Sequence, residues 1–194
     1  MANTTKDTVL TVEKLCVGYK GEVIQRNVSF VLGASEICLI NGSNGSGKTT
    51  LIRTLLNQLK PISGNFSWHL KKDQISSLEQ KNRSELSLSI TVKEVMDLYD
   101  IPKKALSMVP DALLPKKWID LSGGEKQIVL ITTRVSEKTK ILILDEPFNH
   151  LDQKAILRVS KFIENLVGRG VSFLIISHQK MPAIETKITE VNLT

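Results

Sequence analysis

The stretch EICLINGSNGSGKTTLIRTLLNQL, residues 36–59, constrains the fold more than any other part of the chain. EICLIN is a short apolar strand that runs straight into a glycine-rich loop, and KTTLIRTLLNQL follows with helical periodicity. Gly42-Ser43-Asn44-Gly45-Ser46-Gly47-Lys48-Thr49 fits the pattern G-x-x-x-x-G-K-[ST] in the strand–loop–helix context that the pattern requires. Glycines let the backbone curl so that successive N–H groups point at phosphate oxygens, and the helix N-terminus adds partial positive charge. Lys48 then reaches the β- and γ-phosphates and the Thr49 hydroxyl ligates Mg²⁺, with Thr50 the last nucleotide-binding position of the loop. The competing reading, a Gly/Ser turn with an incidental lysine, does not account for the strand before it and the helix after it.

A second signal lies at ILILDEP, which places Asp145 and Glu146 at the carboxyl end of an apolar strand, where ligands bind in open α/β sheets. An aspartate at such a position in P-loop proteins holds Mg²⁺, and Glu146, one residue on, faces the γ-phosphate as base or orienter for the attacking water. A solvent-facing acidic turn before Pro147 is the alternative. Together the two motifs predict a P-loop NTPase.

The rest of the chain predicts the frame. TVLTVEKL and NVSFVL alternate like strands of an N-terminal antiparallel part. Pro61 and Gly64 are expected to end the helix after the loop and lead into a strand near Phe66 to Trp68. Strand ILILD, helix AILRVSKFIENLV and strand VSFLIIS follow later, and apolar strands separated by helices imply a mostly parallel sheet covered on both faces. Residues 81–120 lack apolar strands and offer short helical pieces, with Thr91 and Glu94 as a capping box. The expected organisation is one α/β domain of 194 residues: a core from 1–80 and 121–194 with a small helical subdomain inserted between them.

Charge and cysteines narrow the setting. The net charge is +6, but basic pairs such as Lys71 and Lys72 are interleaved with acids, the pattern of a solvated surface; no nucleic-acid partner is expected. Cys38 sits inside an apolar strand as a small buried hydrophobe, and neither cysteine has metal-ligand spacing. The opening MANTTKDT lacks a signal-peptide core, and the longest apolar runs are strand-sized. The chain is therefore expected to be cytoplasmic, with any membrane part supplied by another chain.

LSGGEKQ, residues 121–127, lies between the two motifs. Ser122 and Glu125 make a capping box, which leaves Gly123 and Gly124 unexplained, since each glycine costs a helix about 1 kcal/mol relative to Ala. The order of P-loop, LSGGE, apolar strand-DEP and a histidine after the last strand resembles the nucleotide-binding domain of ABC ATPases over nearly the whole chain. That resemblance implies that Ser122, Gly123 and Gly124 bind the γ-phosphate of ATP held by a second subunit. It implies that Tyr19 stacks on adenine, a buried core tyrosine being the alternative. It further implies that Gln80 touches Mg²⁺ and water, that Asp152 in the loop Asn149-His150-Leu151-Asp152 crosses the dimer interface, and that His178 contacts the γ-phosphate and couples Glu146 to the other subunit. The partners so implied are a second copy or a paired ABC ATPase subunit, and a transmembrane permease on a separate chain. The expected role is the ATP-hydrolysing subunit of a transporter peripheral to the inner face of the cell membrane. A soluble ABC ATPase acting on the ribosome or another non-membrane partner is the alternative. Cargo is less marked: the sequence resembles zinc- and manganese-type importer ATPases in one stretch and the haem-export ATPase of cytochrome c maturation in another.

Overall fold

The computed structural model describes residues 8–19, 22–79, 89–99, 101–178, 181–182 and 184–193. In chain order its main elements are β1 (Thr8–Tyr19), β2 (Glu22–Gly33), β3 (Ile37–Asn41), α1 (Lys48–Leu55), β4 (Ser63–Trp68) and β5 (Ile75–Leu78). Then come α2 (Val92–Asp97), α3 (Lys103–Leu106), α4 (Gly123–Thr132), β6 (Ile141–Asp145), α5 (Gln153–Val167), β7 (Ser172–Ser177) and β8 (Ile188–Asn192). β2, β1 and β4 form an antiparallel sheet, and a parallel sheet runs in the order β5-β6-β7-β3-β8.

The parallel sheet divides the interior in two. Because side chains alternate across a strand, Cys38 and Ile40 of β3 join Leu51, Ile52 and Leu55 of α1 and the inner face of the antiparallel sheet. Ile37 and Leu39 point the other way, toward Ile128 and Ile131 of α4 and Val159, Phe162 and Ile163 of α5. Both faces are thus covered, which is why β6 and β7 are buried along their whole length. Residues 92–121 gather a small cluster of their own, with Val95, Met96, Val109, Leu113 and Trp118 meeting Val129 of α4. The Thr91 capping box forms as expected, Thr91 Oγ1 accepting from the Glu94 N–H and Glu94 Oε2 accepting from the Thr91 N–H.

Three features differ from the sequence expectation. α1 stops at Leu55, well before Pro61, because Asn57 adopts a left-handed φ of 59° and Trp68 Nε1 donates to the Leu55 carbonyl. β1 and β2 are longer than their alternating cores, carried outward by pairing with each other. β8, an edge strand of mixed exposure, is too weakly apolar to stand out in the sequence and is fixed by its parallel register with β3.

Cys38 is fully buried, and burial pushes its thiol up to about 12 from the ordinary 9.0. The folded value lies above the unfolded one, so the thiol's contribution to stability is fully present below pH 9 and is lost as pH rises toward 12. Urea titrations of the protein and of Cys38→Ala are therefore expected to show a stability gap that narrows between about pH 9 and about pH 12. A gap constant across that window would contradict the burial of the thiol.

Candidate active site

β3 delivers the chain to the glycine-rich loop at the carboxyl end of the parallel sheet, and α1 leaves from it. Gly47, the residue that caps α1, has a left-handed φ of 87°, and a Cβ there would lie 2.9 Å from Ile24 Cγ2. Only glycine lets β2 close down on this turn. The resulting cleft, about 240 Å³, is lined by Asn44, Gly45, Gly47, Lys48, Thr49 and Thr50, by Asp145 and Glu146 from the end of β6, and by Ile24. The P-loop and the acidic strand end, nearly a hundred residues apart in sequence, therefore share one site. Ile24 was not predicted: an apolar residue in an alternating strand gives no signal that it overhangs a ligand loop.

Lys48 is buried, and its Nζ donates to the carbonyls of Gly42 at 2.6 Å and Ser43 at 2.8 Å. The Ser43 carbonyl also accepts the Ser46 N–H, which tightens the turn, while the Ser46 hydroxyl is buried beneath it. Lys48 Nζ lies 3.9 Å from Glu146 Oε1. The other oxygen, Glu146 Oε2, lies 2.9 Å from His178 Nδ1 and accepts the His178 backbone N–H at 3.3 Å. An ionised carboxylate only accepts, so this contact puts a proton on Nδ1.

Glu146 holds this position with a φ of 51°, an uncommon value for a residue with a side chain and one that stores local strain. Its N–H donates to the Ile176 carbonyl at 2.8 Å, which locks the turn to β7, the strand that carries His178 at its end. Asp145 is buried and Thr49 is exposed in the same cleft, so hard oxygen donors suited to Mg²⁺ stand together there. Among the described residues no cluster of three or more His, Cys, Asp or Glu could hold a metal ion.

Tyr19 ends β1 with 45% of its surface exposed, which removes the buried-core alternative. Gln80 lies outside the described residues. Ser122, Gly123, Gly124 and Asp152 do not line the cleft; they form a second cluster where α4 and α5 begin. Ser122 Oγ accepts the Glu125 N–H and Glu125 Oε2 accepts the Ser122 N–H. The Lys116 ammonium, 2.9 Å away, and the Ser122 N–H hold the Glu125 carboxyl below the usual carboxylate range. The Ser122 hydroxyl accepts in the cap and keeps its own proton to donate, so capping a helix and binding an anion are compatible in one residue. Asp152 caps α5, its Oδ1 accepting the Ala155 N–H at 2.7 Å.

Residues 25–149 match the ABC transporter family. The chain belongs to that family. An uncharacterized ABC transporter ATP-binding protein of Haemophilus influenzae is 30% identical over 92% of this chain and 77% of its own length. The zinc import ATP-binding protein ZnuC of a Jannaschia species is 32% identical over 89% of this chain and 73% of its own length. Among solved structures, cbiO1 from Clostridium perfringens, part of an ABC transporter complex, superposes with a TM-score of 0.75 at 24% identity over 90% of this chain and 80% of that one. That likeness shows the P-loop cassette fold. As a family member the chain is the ATP-binding subunit of a transporter and an ATPase. Nothing in these comparisons favours the ribosome-associated alternative.

Proposed function

We propose that this ABC subunit hydrolyses ATP in a dimer that closes around two nucleotides and drives a separate membrane permease. The observation that carries the reading is the Glu146 carboxylate, held between Lys48 and His178 at the mouth of the phosphate loop. A base fixed from both sides, in a buried position, is preorganised to take a proton from water attacking the γ-phosphate. The N–H groups of the loop and the start of α1 cradle the phosphates, and Lys48, already poised among loop carbonyls, turns to the β- and γ-oxygens. Thr49 and Asp145 would hold Mg²⁺, which when bound neutralises charge on those oxygens; Gln80 is assigned there with them.

The cleft is smaller than the ~300–1,000 Å³ of pockets that enclose a whole ligand. It suits the triphosphate, and the adenine lies outside it against Tyr19, whose exposed ring offers a stacking face. Ser122 and the N-terminal N–H groups of α4 serve the nucleotide of the neighbouring subunit, with Asp152 at the same interface. Residues 81–120 act as the inserted helical subdomain that carries motion to the permease. Among the described residues no helix is long and apolar enough to cross a membrane, which fits a peripheral subunit at the inner face of the cell membrane. The permease chooses the cargo, so the zinc importers among the relatives bear on the assembly and not on a metal site in this chain.

Purification of the tagged chain from detergent-solubilised membranes tests the assembly. A multi-span membrane protein is expected to co-purify in stoichiometric amount, and its ATPase rate to exceed that of the isolated chain. Recovery of ribosomal proteins in its place would overturn the transporter reading.

A further inference from the structure

The geometry points to Ala155 as a positioning residue that ties the two ATP sites of the dimer together. The inference rests on the reading that Ser122, Gly123 and Gly124 serve the neighbour's nucleotide. Gly124 is buried, and a Cβ built on it would lie 2.9 Å from Ala155 Cβ and 3.3 Å from Ala155 Cα. A Cβ on Gly123 would come within 3.0 Å of Leu151 Cδ2. The bare backbone at Gly124 is therefore required by the close approach of α4 to α5, whatever phosphate does on the other side.

That contact joins two otherwise distant groups. From Glu146 the chain runs through a turn in which the Asn149 N–H donates to the Glu146 carbonyl and the Leu151 N–H to the Phe148 carbonyl. Phe148 is fully buried, and Asp152 then holds the Ala155 N–H. Ala155 in turn seats Gly124, two residues from Ser122. No rotatable side chain separates the two helix starts at this point, so a shift at the Glu146 end reaches Ser122 as a translation instead of being absorbed by a rotamer change. Glu146 works on this subunit's ATP and Ser122 on the neighbour's, so one methyl group lies on the path between the two sites.

Two substitutions at Ala155 test this in the Glu146→Gln background, which is expected to hold ATP-bound dimers. Ala155→Gly opens space and is expected to leave fluorescent-ATP binding by the monomer unchanged while raising the ATP needed for half-maximal dimerisation about tenfold by light scattering. Ala155→Ser keeps the Cβ that seats Gly124 and is expected to hold that requirement to within about twofold of the parent. An unchanged requirement in Ala155→Gly, or an equal rise in Ala155→Ser, would overturn the inference. Failure of the Glu146→Gln parent itself to dimerise with ATP would remove the two-subunit reading, and this inference with it.

Discussion

Glu146→Gln is expected to lower ATP turnover by about 10²–10⁴-fold, the range supplied by a positioned general base, while ATP binding survives. The substitution keeps the length of the side chain and an oxygen that can accept the His178 backbone N–H, so the local structure is retained. What disappears is the basicity that takes the proton from water. The amide also removes the negative charge 3.9 Å from Lys48 Nζ, which favours the anionic triphosphate in the same cleft. The bound state then persists, and with it the dimer. Single-turnover hydrolysis and light scattering with ATP and Mg²⁺ check both halves. Turnover near the parent rate would remove Glu146 as the base, and a variant that stays monomeric with ATP would remove the closed dimer.

Lys48→Ala is expected to cost about 10²–10³-fold in turnover and to weaken ATP binding, because a preorganised cation at the transferring phosphoryl group is lost. The same change leaves the carbonyls of Gly42 and Ser43 without the donor that holds them at 2.6 and 2.8 Å. Solvent reaches Ser43, so the stability cost is small, about 1 kcal/mol. Lys48→Arg is expected to fail as well: a planar guanidinium cannot replace a compact ammonium buried in so tight a turn. Activity in both variants would be read beside their melting temperatures. A loss of stability large enough to explain the loss of turnover, or an active Arg variant, would contradict the assigned role.

The P-loop was legible because its chemistry is local. Phosphate binding needs glycines, a lysine and a helix start at fixed spacing, and all of these lie within residues 42–50. The acidic strand end was legible for the same reason, and so was the Ser122 cap, whose partner Glu125 is three residues away. Glu146 with His178 was reachable from the order of motifs, but their contact was not, since it depends on β6 and β7 lying side by side in register.

Other features had no local sign. Ile24 looked like any strand residue until β2 folded over Gly47. The end of α1 is set by Asn57 and by an indole from β4, not by the proline downstream, so its length has no sign in the helical periodicity.

The glycine pair of LSGGEKQ shows the division most clearly. From the sequence, two glycines at a helix start asked for bare backbone, and a neighbour's phosphate was one way to need it. The fold supplies a separate need at Gly124, a methyl of Ala155 that leaves no room for another. By itself the sequence determined which short segments can bind anions, cap helices and line a parallel sheet, because those properties are fixed within a few residues of each other. Only the tertiary structure decided which segments share a cleft, that Glu146 is gripped from both sides, and where two helices touch without side chains between them. Those facts arise from packing between elements remote in the chain, and no local pattern encodes the distance between them.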